Sequence, residues 1–223
     1  MRKIFLDSSK LDEIKKYKDM GIISGVTTNP TIMKKDGVED VVEHTRKIIK
    51  TIPYRPVSVE LTRNDSEKDM IKEAKLYRGL SPDINVKVPI HSPEGKSNLG
   101  VIKKLSNIDI PVNCTAMMSA QQLILANMAG AEYVSLFGGR VADMGHDPKE
   151  EIYKYVEYKK HTLEPANIIM GSVRETHNII DWFTAGADIV TVPPKFLDKM
   201  IVHARTKETV KMFMEDASQY KIL

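Results

Sequence analysis

Short runs in which apolar and polar residues alternate recur along the chain, and between them lie stretches whose apolar residues come three and four apart. Eight runs have the first pattern: "KIFLD" (3–7), "GVTTN" (25–29), "VSVEL" (57–61), "NVKVP" (85–89), "PVNCTA" (111–116), "YVSLFG" (133–138), "NIIMGS" (167–172) and "DIVTVP" (188–193). Each reads as a strand, and each is followed by a helical pattern that starts near a Ser, Asp, Thr or Pro. "SSKLDEIKKYKDMG" and "SEKDMIKEAKLYRGL" are two of those helices, with Gly21 and Gly79 where they should stop. A further helical stretch, "TKETVKMFMEDASQY" (206–220), lies beyond the eighth unit and has Val210, Met212, Phe213 and Met214 to bury against a neighbouring element or subunit.

Strict alternation of strand and helix predicts parallel strands joined by right-handed crossovers. Eight units fit either an open doubly wound sheet or a closed (β/α)8 TIM barrel. The spacing is nearly even, no Gly-rich dinucleotide fingerprint follows the first strand, and no linker divides the 223 residues. The expectation is one barrel domain over 1–223, with the helix at 206–220 as an addition.

In such a barrel one face of every strand packs on the helices and the other points inside. Period 2 sends Phe5 and Asp7 inward on the first strand, Thr27 and Asn29 on the second, and Ser58 and Glu60 on the third. Asn85 and Lys87 follow on the fourth, Asn113 and Thr115 on the fifth, Ser135 and Phe137 on the sixth, and Met170 and Ser172 on the seventh. Several of these polar residues fall near the C-terminal ends of their strands, the face on which barrel enzymes build active sites. Unpaired polar groups inside a barrel cost about 1–3 kcal/mol each, so their collection there calls for a reason.

The plainer alternatives are specific. Lys87 would be a solvated residue if its face met water. Asp7 could cap a helix beginning near Ser8 or Ser9. Thr27, Ser58 and Asn85 also read as satisfied core polar residues, and Met170 as packing.

Composition narrows the chemistry. The single cysteine, Cys114, excludes an intramolecular disulfide, and the six histidines fall at no zinc-ligand spacing. A formal charge of +3, from 33 basic and 30 acidic residues without a basic stripe, argues against nucleic acid. The opening residues carry no apolar leader pattern, and no run of apolar residues is long enough to span a bilayer. A cytoplasmic, soluble protein with no membrane association is expected.

A lysine inside a barrel suggests a nucleophile. At its ordinary pKa of ~10.4 only about one lysine in 2,500 is neutral at pH 7, and burial that brings a lysine near 7–8 makes roughly 10–50% neutral. Neutral amines attack carbonyls to form Schiff bases. Asp7 could accept the proton that such chemistry releases, and Asn29, Asn113 and Ser135 could hold substrate hydroxyls. Glu60, which would favour the ammonium form if paired with the lysine, is expected to act through a water. Arg140 in "GGRVAD" and Ser172 and Arg174 in "GSVRE" follow late strands, where barrels commonly grip phosphate.

Taken in order, "IFLD", "GVTTNPT", "VSVE", "NVKVP", "VNCTA", "SLFGGR" and "GSVRE" resemble the transaldolases, in the compact branch that also contains the fructose 6-phosphate aldolases. The resemblance covers nearly the whole chain. It implies that Lys87 forms the Schiff base with a ketose and that Asp7 takes the proton from the donor's C4 hydroxyl. It also implies that Glu60 and Thr115 position the water for carbinolamine dehydration. Asn29, Asn113 and Ser135 would hold the dihydroxyacetone unit, and Arg140, Ser172 and Arg174 the phosphate.

The aldolases typically carry glutamine in place of Glu60 and tyrosine in place of Phe137. Phe137 therefore implies transfer of the three-carbon unit, as in a transaldolase of the pentose phosphate pathway, rather than its release. The family implies no metal, no cofactor, and a homo-oligomer, pentamer or decamer. The alternatives are a fructose 6-phosphate aldolase releasing free dihydroxyacetone and a barrel that binds sugar phosphates without catalysis.

Overall fold

The computed structural model of the chain describes residues 2–220. Its eight strands are β1 (Lys3–Asp7), β2 (Val26–Thr27), β3 (Val57–Glu60), β4 (Ile84–Pro89), β5 (Val112–Met117), β6 (Tyr133–Leu136), β7 (Asn167–Met170) and β8 (Ile189–Val192). All pair in parallel with their sequence neighbours, and β1 pairs with β8, from Lys3 opposite Ile189 to Leu6 opposite Val192. The result is a closed eight-stranded parallel barrel, the expected (β/α)8 architecture.

Helices cover the outside: α1 (Leu11–Asp19), α2 (Pro30–Lys35), α3 (Val41–Thr51), α4 (Glu67–Arg78), α5 (Leu99–Ser106), α6 (Ala120–Met128), α7 (Gly138–Asp143), α8 (Pro148–Lys159), α9 (Thr176–Ala185) and α10 (Pro194–Ile201). Local chemistry sets their ends. Ser66 caps α4 by accepting from the Asp69 backbone N–H, acidic residues occupy its first turn and basic ones its last. Met70, Ala74 and Tyr77, at helical spacing, are the residues α4 buries. Burial of a side chain the size of Met70 stabilises the layer by about 1.5–3 kcal/mol. Gly21 follows the end of α1 at φ 73°, whereas Gly79 ends α4 at an ordinary φ of −66°.

The outward strand residues, among them Val26, Val57, Val59, Val86, Val88, Val134 and Val190, join the helices in one continuous core. Inside the barrel, Phe5, Tyr133, Ile169 and Ile189 form a separate apolar cluster, with the Phe5 and Tyr133 rings 6.5 Å apart. The seventh strand corrects the reading from period 2. Ile169 is the inward residue there, while Met170 belongs to the outer core with Trp182. The strand ends at Met170 and Ser172 turns into the left-handed region at φ 63°, so alternation does not carry back from Ser172 to Met170.

The last helix, α11 (Ala204–Ala217), buries none of its residues, so it does not pack on its own barrel as one expectation had it. Among the described residues no helix is long and apolar enough to cross a membrane.

Candidate active site

The strand ends and the loops after them enclose a cavity of about 710 Å³. It draws together Asp7, Asn29, Glu60, Lys87, Ser135, Phe137, Arg140, Ser172 and Arg174 from six strands or the loops that follow them. Asn113 and Thr115 are fully buried but are not among the lining residues.

Lys87 faces this interior, not solvent, and is 4% exposed. Its neighbour follows from register, because β3 and β4 pair with Glu60 opposite Lys87 and both side chains point inward. Lys87 Nζ lies 3.1 Å from Glu60 Oε2 and donates to the Thr28 carbonyl at 2.9 Å. Glu60 is thus a direct partner of the lysine, contrary to the expectation that it would act only through water. At 3.1 Å the two charged groups touch, with nothing between them.

Asp7 ends β1. It does not cap a helix: α1 begins only at Leu11, after Lys10. Its Oδ1 instead accepts from Thr27 Oγ1 at 2.8 Å, since β1 and β2 pair with Asp7 opposite Thr27. Burial raises the Asp7 pKa above the usual carboxylate value, opposed by the Lys87 charge and the Thr27 hydrogen bond and reinforced by the Glu60 charge. Asp7 is therefore a stronger base than a surface aspartate, within reach of a cation.

Asn29 owes its orientation to the helix after it. Its Oδ1 caps α2 by accepting from the Ile32 N–H at 2.9 Å, with Pro30 in the first turn. Capping consumes the oxygen and leaves the amide NH2 as the donating end. On the far side, Ser135 Oγ donates to Asn113 Oδ1 at 2.6 Å, and Asn113 Nδ2 donates to Ser58 Oγ at 3.1 Å. Asn113 thereby holds Ser135 from beneath, and the lone pairs of Ser135 remain as acceptors. Thr115 Oγ1 is buried without a hydrogen-bond partner among the described residues.

Two neighbouring loops carry the arginines. Arg140 lies on α7, with its guanidinium 5.3 Å from the Phe137 ring centre. Arg174 follows β7 and is held by Asp143 through Nη2 to Oδ2 at 2.6 Å and Nε to Oδ1 at 3.4 Å. The loops touch where Gly139 meets Ser172: a Cβ on Gly139 would fall 1.8 Å from the Ser172 carbonyl oxygen. Ser172 holds a left-handed φ that costs a non-glycine residue energy, as functional sites often do.

Period-2 reasoning did not extend to the eighth strand and so missed Thr191, which lines the cavity. It also missed Ala116, held at φ 61° where β5 loses register with β6. The inward alternation of Ile189 and Thr191 was the available signal for the first. Nothing in the sequence marks the second.

The chain matches the family described as transaldolase/fructose-6-phosphate aldolase over residues 4–222. It is 39% identical over 222 residues to a "Probable transaldolase" of Nitrosopumilus maritimus, covering 98% of this chain and 96% of that one. A "Probable transaldolase" of Carboxydothermus hydrogenoformans is 38% identical over 213 residues, 96% of each chain. Among solved structures, a Burkholderia cenocepacia protein described as a candidate phosphonomutase superposes with a TM-score of 0.64 over 96% of this chain and 94% of its own. The identity is 13%, so that likeness is one of fold alone.

Proposed function

The chain belongs to the transaldolase/fructose-6-phosphate aldolase family, and we propose that within it the protein is a transaldolase working through a Schiff base on Lys87. It takes a dihydroxyacetone unit from a ketose phosphate, sedoheptulose 7-phosphate or fructose 6-phosphate. It passes that unit to an aldose phosphate, glyceraldehyde 3-phosphate or erythrose 4-phosphate. The observation that carries this reading is the buried Lys87 amine with the Glu60 carboxylate at 3.1 Å, at the floor of a cavity that Asp7 also lines.

At 3.1 Å a proton can pass from the amine to Glu60, which frees the nitrogen lone pair to attack C2 of the ketose. Glu60 then returns a proton as the carbinolamine loses water, and the unpartnered Thr115 hydroxyl supports a part for it in holding that water. In the iminium, Asp7 takes the C4 hydroxyl proton. The C3–C4 bond breaks, its electrons flow into the iminium, and the shortened aldose leaves an enamine on Lys87. The incoming aldehyde is attacked by C3 of the enamine, Asp7 gives the proton back to the new C4 oxygen, and water releases the lengthened ketose. Asn29 and Ser135 hold hydroxyls of the three-carbon unit, with Asn113 behind Ser135. Arg140, Ser172 and Arg174 take the phosphate.

Phe137 supports transfer over release, because it brings no hydroxyl near the enamine to order a protonating water. Val210, Phe213 and Met214, exposed at helical spacing on α11, support a homo-oligomer, a pentamer or decamer, which a sedimentation profile of monomer alone would contradict.

The test is intact mass after incubation with fructose 6-phosphate and borohydride, with peptide mapping of any adduct. A reduced three-carbon adduct on Lys87, absent in Lys87→Met of unchanged fold, is the expected result. An adduct elsewhere, or turnover surviving in Lys87→Met, would overturn the assignment.

A further inference from the structure

Thr191 has no part in the chemistry described above, yet it is tied to Asp7 through a second hydroxyl. Thr27 Oγ1 lies 2.8 Å from Asp7 Oδ1 and 2.5 Å from Thr191 Oγ1, in a buried contact. A hydroxyl has one proton to donate. The Asp7 carboxylate can only accept, so the Thr27 proton goes to Oδ1, and the Thr27–Thr191 contact then requires Thr191 to donate. The direction of the chain is fixed: Thr191 to Thr27 to Asp7. It crosses the end of β1 from both flanks, because β8 pairs with β1 on one side and β2 on the other.

We propose that Thr191 is a positioning residue that acts through Thr27 on Asp7. Together the two hydroxyls keep Oδ1 occupied, turn Oδ2 toward the substrate hydroxyl and favour the ionised carboxylate. This rests on Asp7 being the base of the proposed reaction. The proton removed from the donor's C4 hydroxyl lands on Oδ2, and both threonines keep their own protons. The neutral carboxyl then accepts from Thr27 at Oδ1 as before, so the chain is intact when the proton is handed back.

Chains of aligned hydrogen bonds polarise one another, and the last bond is the stronger for having Thr191 behind it. Around Asp7 the other charged groups are Lys87 on β4 and Glu60 on β3, the first favouring the carboxylate and the second opposing it, while burial opposes it most. The hydroxyl chain adds to the side of Lys87.

The test compares Thr27→Val, Thr191→Val and Thr191→Ser by carbon-13 NMR titration of the Asp7 carboxyl in protein without substrate, alongside the pH dependence of donor cleavage. The Asp7 midpoint should rise in Thr27→Val, rise less in Thr191→Val and return in Thr191→Ser. At neutral pH, kcat should fall about tenfold in Thr27→Val, the cost of an Oδ2 no longer held toward the substrate hydroxyl, with donor KM little changed and the ascending limb at higher pH. An Asp7 titration identical in Thr191→Val and the unaltered protein would overturn the proposal. So would a Thr191→Ser protein displaced as far as Thr191→Val, since packing and not the hydroxyl would then be responsible. If the unaltered protein turns over no sugar phosphate while the titration order holds, the transaldolase reading falls and the hydroxyl chain stands.

Discussion

Gly139→Ala probes the contact between the two arginine-bearing loops. The new Cβ would lie 1.8 Å from the Ser172 carbonyl oxygen, 2.9 Å from the Ser172 carbonyl carbon and 3.0 Å from Arg174 Cγ. Non-bonded heavy atoms are comfortable near about 3.5 Å, so the loops must part by roughly 1.5 Å or more. The closest of these atoms is backbone, which cannot swing aside as the tip of a side chain would. Ser172 already holds a φ of 63° and has little freedom left to absorb the change. Overpacking of this kind costs about 1–3 kcal/mol. For a chain of this length each kcal/mol lowers Tm by about 2–4 °C, a fall of roughly 2–12 °C in all.

The functional cost should be selective. A displacement of about 1 Å in a positioning group can cost 10²-fold in rate, and here it separates Ser172 and Arg174 from Arg140. We expect kcat/KM for fructose 6-phosphate to drop about 10- to 100-fold, with at most about a twofold change for unphosphorylated fructose. The assay runs both donors in parallel with thermal melts. Unchanged Tm and unchanged kinetics would refute the claim that the two loops are locked at this point. Equal losses on the two donors would refute the assignment of these loops to phosphate.

Asp7→Asn should stabilise the protein while reducing donor cleavage by about 10²–10⁴-fold. Because the folded-state pKa of Asp7 is raised, the native state holds a proton that the unfolded chain gives up, so its cost to stability grows as pH rises from the ordinary 3.8 through the raised value. The Tm advantage of Asp7→Asn should therefore be absent well below pH 3.8, where both states are protonated, and grow as pH rises through the raised Asp7 value, and an advantage independent of pH would contradict the sign of the shift. Phe137→Tyr should add steady release of free dihydroxyacetone from fructose 6-phosphate without an acceptor, and an unaltered ratio of transfer to release would show that this ring does not set the partition.

The barrel was legible because its strands follow the simplest rule available: outward positions carry mostly Val, Ile and Leu, and most inward ones do not, with Ile169 and Ile189 as exceptions. Depth, distance and strand ends were less legible. Alternation sends Asn113 and Ser135 to the same side without saying that one sits beneath the other. It puts Lys87 and Glu60 on one interior, but their 3.1 Å separation depends on the β3–β4 register, which only the folded sheet specifies. It fails at Met170 because the strand stops there and the backbone turns left-handed two residues later. For the apolar residues of α11 the sequence left open a neighbouring element or a subunit as their cover, because periodicity reports a face and not what covers it.

The committed protons in the cavity argue for the kind of molecule that fills it. Thr191, Thr27 and Ser135 each direct their single hydroxyl proton at another protein atom, and the Asn29 oxygen is held by a helix N–H. What the floor offers inward is mainly acceptors, Asp7 Oδ2 and the Ser135 lone pairs, with the Asn29 NH2 as a neutral donor and Lys87 as the nucleophile. Acceptors of that kind suit a molecule rich in hydroxyl protons and carrying one electrophilic carbon. The mouth has the opposite character, with Arg140 and Arg174 on loops that meet at Gly139, suited to an anion. A chain of hydroxyls ending in a phosphate, with its carbonyl at the far end, satisfies floor and mouth together. A neutral sugar would bring the arginines no anion beyond the Asp143 carboxylate that already holds Arg174, and a short phosphorylated acid would put its own charge against Asp7 and Glu60.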